Sequence, residues 1–453
     1  MTEQSWLDQE VAQSEHYKYY MRTDPDMRDW LGPIQTIDDP VTGRSMRCRE
    51  AKIAMMRGSE NFKDTIVYLD PLPHIRQPVG QDLRGWYTSK GDGQIRGKRE
   101  RPCFTDAILT QPYGGACLVQ CGFCYINAGG RGYRGSGLST VPIGYGAQVR
   151  KQLKAMRSAQ AGYFSSFTDP FLSLEEWYHN TQAGATAFVE EGLPIFFLTR
   201  LAYPSWAIDL LKLNPYSYAQ RSINTPHEED WRKLSPGAVT LDYIWDELKE
   251  MHHQGIYISI QCNPIIAGIT THEDIEKLFE KLASCGVDHV IVKFVEANFP
   301  WVPNMIANMT KKFGDNRTAA FRDLFIENSA GQQKTVHREY RLEGHRRYQK
   351  KATELGMTYA TCFEYDKQPD GSHRSIGGDW LTADTCHGHR VPFHTRATPN
   401  APFKPLEVCP PSGCLSCADT NEGKSRCGSD LLGKALALKL GDLKRDPGIT
   451  VTQ

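Results

Sequence analysis

Between Cys103 and Val295 short apolar runs alternate with amphipathic segments, and this alternation restricts the fold more than anything else in the chain. Residues 104–111, 163–168, 194–199, 216–224, 256–263 and 289–295 read as strands. Residues 145–159, 174–191, 205–213, 241–254 and 272–284 read as helices between them, the last closed by Gly286. Parallel neighbours need a crossover, which a helix of this length supplies. Six strand–helix units in a row therefore predict an α/β fold with a parallel sheet, curved into a partial (β/α)6, TIM-like barrel. In such folds reacting groups collect at the carboxyl ends of the strands. Here those ends carry a cysteine loop, then Asp169, Arg200, Asn224 with Thr225, and the turn from Asn263 to Gly268.

The loop after the first strand holds Cys117, Cys121 and Cys124 in the spacing C-x3-C-x2-C, behind Gly114 and Gly115. A glycine-rich loop can turn three thiolates toward one region. Thiolates select zinc, copper(I) or iron–sulfur clusters, and three ligands are one short of a closed structural zinc site. A cubane held by three cysteines keeps one iron without a protein ligand, a place for chemistry. The tail has its own set: Cys409, Cys414, Cys417 and Cys427 in the spacing C-x4-C-x2-C-x9-C, threaded with Pro and Gly. It is a candidate for a second [4Fe-4S] cluster, for zinc, or for thiols without a metal, and Cys386, His387, His389 and His394 are candidate outside ligands.

The remaining sequence divides around this middle. Residues 1–102 form a polar N-terminal extension with weak helical periodicity near 45–58; residues 103–300 form the barrel; residues 301–384 continue with helical and basic segments; residues 385–453 are cysteine-rich. Residues 305–325 and 336–355 read as helices, and residues 358–363 as a further strand. Basic residues 53 in number balance 53 acidic ones, so a polyanionic partner has to be sought locally. Two places qualify: the glycine-rich loop 89–101 and the helix carrying Arg338, Arg341, Arg346, Arg347, Lys350 and Lys351, each otherwise a solvated face. The first residues lack a basic-then-apolar leader, and no run approaches the roughly 18 apolar residues of a spanning helix, so a cytoplasmic protein with no membrane partner is expected.

With the three-cysteine loop placed after the first of six strand–helix units, and Phe123 just before the third cysteine, the chain resembles the radical S-adenosylmethionine superfamily. Ser165-Ser166-Phe167-Thr168-Asp169-Pro170, Phe197-Leu198-Thr199-Arg200, Arg221 to Asn224, Arg232 to Ala238 and Asn263 to Thr270 are similar to the spore photoproduct lyase and DNA-repair-photolyase-like branch. The resemblance implies a [4Fe-4S] cluster on Cys117, Cys121 and Cys124, whose open iron chelates S-adenosylmethionine. One electron, from a reductant such as flavodoxin or ferredoxin, would then release a 5′-deoxyadenosyl radical that abstracts hydrogen from the substrate. Carried over by position, Ser166, Thr168 and Asp169 would lie near the methionyl amino group, Asn224 near the ribose or carboxylate, and the turn from Asn263 to Gly268 along the adenine. Arg200 would grip the carboxylate. The branch's hydrogen-donating cysteine lies close to where this chain has Ser166 and Phe167, which makes Cys262 the nearest replacement inside the barrel. The implied substrate is a nucleobase, a pyrimidine in DNA that is repaired, isomerised or hypermodified. The alternatives are a peptide or small metabolite and, from another class, a metal-binding module without catalysis.

Overall fold

The computed structural model describes residues 32–54, 62–79, 107–124, 138–154, 156, 158–164, 167–329, 333–362, 364–383, 385–392, 394–396, 398 and 400–405. The tail cysteines Cys409, Cys414, Cys417 and Cys427, the loop 89–101 and Ser166 lie outside these residues.

An N-terminal sheet comes first. Strands β1 (Gln35–Asp39), β2 (Arg44–Ala54), β3 (Phe62–Tyr68) and β4 (His74–Pro78) pair antiparallel in sequence order. The weak helical pattern near 45–58 is overruled, because β2 runs through it, paired on both sides. The barrel opens with β5 (Ala107–Thr110), after which β6 (Gly114–Gly115) and β7 (Ser139–Ile143) return to the N-terminal sheet. There β7 runs parallel to β4, so the cysteine loop springs from the seam between the two sheets.

The barrel continues through α1 (Tyr145–Lys154), β8 (Ser158–Ala159), β9 (Ala161–Phe164), α2 (Glu175–Tyr178), α3 (Asn180–Glu190), β10 (Ile195–Thr199), α4 (Ser205–Lys212), β11 (Tyr218–Ser222), α5 (Glu228–Leu234), α6 (Leu241–His253), β12 (Tyr257–Ile265), α7 (His272–Ser284) and β13 (His289–Phe294). Then come β14 (Glu296–Asn298), α8 (Val302–Leu324), β15 (Glu327–Ser329), β16 (Gln333–Thr335), α9 (Arg338–Glu354) and β17 (Thr358–Thr361). All six expected barrel strands form, and β17, the further strand read over residues 358–363, makes a seventh. Their spatial order is their chain order, every neighbour parallel, as a barrel wall requires. Among the described residues β5 and β17 do not pair, so the wall is open.

Alternation along each strand sorts the side chains. Tyr163, Phe196 and Tyr218 face the interior as a stack with ring centroids 4.6 and 4.5 Å apart, and Tyr257 meets Tyr218 edge-on. Their neighbours Phe164 and Phe197 face the helices, against Phe188 of α3 and Trp206 of α4. The chain returns beneath the aromatic row: β18 (Tyr365–Lys367), β19 (His373–Ser375) and α10 (Gly377–Trp380) lead to the segment 385–392, whose His387 bonds Tyr218 Oη at 2.7 Å. Finally β20 (His394–Thr395) pairs with β8 and with β21 (Lys404–Pro405), strapping the tail to the first barrel unit. His387 and His394 are buried in this base.

The basic helix α9 is not an open cationic face. Arg347 bridges Glu273 and Glu276 of α7 at 2.7 and 2.8 Å, Lys351 pairs with Glu280, Arg338 with Asp366 at 2.6 Å, and buried Arg341 with Glu364 at 2.8 Å. Charges matched in this way hold α9 to the barrel. Among the described residues no helix is long and apolar enough to cross a membrane.

Candidate active site at the carboxyl rim

The cysteine loop is built by backbone contacts with α5 and the segment that follows it. Gly122 N–H donates to Leu234 C=O at 3.0 Å, and Gly237 N–H to Val119 C=O at 3.1 Å. A Cβ at Gly237 would fall 2.0 Å from the Leu118 carbonyl oxygen, so glycine alone permits this approach. Turns from Cys117 C=O to Gln120 N–H and from Cys121 C=O to Cys124 N–H fold the loop on itself. All three cysteines are half-buried and none is in a disulfide. Among the described residues no three His, Cys, Asp or Glu side chains converge as ligands of a single ion. Sulfurs at the corners of a cubane stand farther apart than ligands around one ion, so this geometry leaves a cluster open.

Cys121 has specific company. Its sulfur lies 3.3 Å from Ser235 Oγ, and Ser235 Oγ accepts from Arg200 Nη1 at 3.2 Å. Burial pushes the Cys121 thiol above its usual range, with the Arg200 charge opposing. Arg200, expected to hold a carboxylate, is committed to the chain: Nη2 donates to Asn263 C=O at 3.1 Å, and the guanidinium lies 5.2 Å from the Phe123 ring and 5.1 Å from that of Trp231.

Other rim residues are likewise bonded within the chain. Asp169 is buried and accepts from Thr199 Oγ1 at 2.8 Å, Arg200 N–H at 2.8 Å and Phe171 N–H at 3.0 Å, tying the end of β9 to that of β10. Burial raises its pKa and these donors oppose the rise. Thr168 Oγ1 donates to Tyr113 C=O at 2.9 Å and accepts from Gln111 Nε2 at 3.0 Å, bracing the approach to the loop. Gly268, with φ +83°, is required by α8: a Cβ there would meet Ala320 C and Phe321 N at 2.7 Å. Asn224 lies beside the turn that begins at Asn263. Its Nδ2 donates to Pro264 C=O at 2.8 Å, while its buried Oδ1 has no hydrogen-bond partner among the described residues.

Cys262 is misplaced for its expected part. Ser259 Oγ bonds Gln220 Nε2 at 3.4 Å across the interior face, so alternation turns Cys262 to the helix side. It is fully buried there, and burial raises its thiol pKa far above the usual range. Cys362 follows β17 on the same parity as the interior Thr358, its N–H donating to Val292 C=O at 2.9 Å. The interior Lys293, paired with Glu296 at 2.8 Å, stands near it. Only strand register distinguishes Cys362 from Cys262. Ser235 was missed, although it sits in the segment Arg232 to Ala238.

The chain is 56% identical, over 458 residues, to a protein of Pseudomonas phage M6 named a radical SAM Nalpha-GlyT isomerase, covering 98% of this chain and 95% of that one. Among solved structures, spore photoproduct lyase complexed with dinucleoside spore photoproduct is 16% identical, covering 55% of this chain and 75% of that one with a TM-score of 0.43. Streptococcus suis SuiB bound to S-adenosylmethionine is 13% identical, covering 58% and 51% with a TM-score of 0.39. No family model matches.

Proposed function

The chain belongs to the radical S-adenosylmethionine enzymes, and from that premise we propose that it is an isomerase acting on a glycine unit joined through its α-nitrogen to a larger acceptor. The observation that carries this reading is the 56% identity to the phage isomerase across 98% of the chain. Cys117, Cys121 and Cys124 would hold the [4Fe-4S] cluster, which with S-adenosylmethionine supplies a 5′-deoxyadenosyl radical when bound. The donor set fits that group: three thiols on one loop at the carboxyl rim, with a buried acceptor, Asn224 Oδ1, that has no partner among the described residues and is suited to a ribose hydroxyl.

The chain's own residues orient and enclose. Asp169 and Thr168 hold the ends of β9 and β10 in register beside the loop, and Arg200 closes the space between Phe123, Trp231 and the Asn263 turn. Among the described residues the aromatic row and His387 pack across the opposite end of the interior, which limits the entry of water from below. An isomerase returns the hydrogen it removes, so the reaction needs no net oxidant. The acceptor, on our reading, is a pyrimidine nucleobase in DNA, and a base within a duplex would first be flipped out. A flavodoxin or ferredoxin as reductant, and a second cluster or zinc on the tail cysteines, belong to the same proposal.

The test starts from anaerobically reconstituted protein. Iron and sulfide counts near four per chain mean one cluster and near eight a second in the tail, while zinc assayed alongside marks the other occupant. Reduction with S-adenosylmethionine is expected to yield 5′-deoxyadenosine and methionine, and Cys117→Ala, Cys121→Ala and Cys124→Ala to abolish this. With Nα-GlyT as substrate the product should keep the mass of the substrate. Cleavage of S-adenosylmethionine that leaves Nα-GlyT unchanged rejects the isomerase reading.

A further inference from the structure

We infer that Ser235 and Arg200 form a hydrogen-bond relay onto the Cys121 sulfur that sets the reduction potential of the cluster. The inference rests on Cys117, Cys121 and Cys124 carrying that cluster.

The direction of the relay follows from the donor inventory. An arginine side chain has no acceptor, so in the 3.2 Å contact Nη1 donates and Ser235 Oγ accepts. The single hydroxyl hydrogen of Ser235 is then left for Cys121 Sγ at 3.3 Å. Neither end is loose. Ser235 is fully buried, its N–H bonded to Trp231 C=O at 2.8 Å and its chain turned by Pro236 and Gly237. Arg200 is 8% exposed, stacked between Phe123 and Trp231 and tied to Asn263 C=O. A hydroxyl polarised by a guanidinium is a stronger donor than a solvated one, since hydrogen bonds in series reinforce each other in a low-dielectric site.

Donation to a ligand sulfur draws charge from it and favours the reduced, more negative cluster over the oxidised one. The relay reaches Cys121 and links it to β10, β12 and α5 at once. Arg200 is thus a positioning residue for the cluster rather than a carboxylate ligand, and Ser235 conveys its charge.

The deciding measurement is the cluster midpoint potential, from an anaerobic redox titration followed by electron paramagnetic resonance, with iron and sulfide counted in the same samples. Ser235→Ala is expected to load a full cluster with its midpoint displaced to more negative potential; Ser235→Thr, which keeps the hydroxyl, should remain near the parent. Arg200→Gln should shift the midpoint the same way by a smaller amount. A fully loaded Ser235→Ala protein with an unchanged midpoint overturns the relay, as does a Ser235→Thr shift equal to that of Ser235→Ala. Should Ser235→Ala fail to load, a loaded Arg200→Gln protein with the parent midpoint overturns it instead. Failure of the parent protein to take up iron counts against the cluster reading itself, before any variant is compared.

Discussion

At the scale of single residues, the rim shows how far a side chain's identity falls short of its role. Asp169, Thr168 and Arg200 are polar residues at strand ends, and that much is legible in the sequence. Their partners are not, because Thr168 and Tyr113 lie 55 positions apart and Arg200 and Asn263 lie 63 apart. Glycine is more exacting. Gly237→Ala would press a Cβ onto the Leu118 carbonyl, and overpacking of this kind costs about 1–3 kcal/mol. The strain falls on the cysteine loop, so iron content should drop further than the melting temperature alone implies; thermal denaturation beside iron counting checks this. Cys262→Ala tests the opposite case. A buried thiol on the helix side should cost on the order of 1 kcal/mol and leave 5′-deoxyadenosine formation at the parent rate. A large loss of turnover in a well-folded Cys262→Ala protein would restore the catalytic reading.

Among elements, the seven parallel strands were the readable part, because apolar runs buried on both faces stand out from their surroundings. The N-terminal sheet was hidden for the converse reason. Its strand β1 is exposed along most of its length and β2 carries charges throughout, so half-buried antiparallel strands resemble polar coil. The histidines under the barrel illustrate the cost of burial without charge. Burial pushes His387 down to about 3, with His289 adding repulsion, and His289 and His394 to about 4, from an ordinary value of 6.5. His387 faces Tyr218, Gln220, Tyr163 and Phe196, none of which offers a carboxylate. A depressed histidine pKa means that the unfolded chain binds protons first. The stabilising contribution is complete above pH 6.5 and is lost as pH falls toward 4, at roughly 1.4 kcal/mol per unit for each such group. Melting temperatures measured from pH 7 to pH 4.5 should fall steeply in the parent protein and less steeply in His387→Gln.

For the molecule as a whole, the chain closes on itself at the base of the barrel. Arg396 is the fastener: its buried guanidinium donates to Met156 C=O at 2.8 Å, to Leu153 C=O and to Glu191 at 2.6 Å, and lies 4.2 Å from the Phe403 ring. Removing one partner of such a buried pair costs about 3–5 kcal/mol. Arg396→Ala should therefore lower stability by several kcal/mol and, by releasing the strap, expose the aromatic row; denaturant titration and dye binding would register both. Partner choice belongs to this scale too. Since the cations of α9 are paired within the chain, the DNA substrate proposed above would have to be gripped by other surfaces, and an affinity that did not weaken as salt rises would argue against phosphate contacts.

By itself the sequence determined the kind of chemistry and the barrel wall, because both are local patterns: three cysteines within eight residues, and a period that switches between strand and helix. The tertiary structure decided which side chains are at liberty and which are committed. Cys121 and Ser235 are 114 positions apart, and Cys262 and Cys362 differ in prospect only through strand register. Hydrogen bonds between distant residues and the facing of a strand arise only once the chain has closed, so no local pattern carries them.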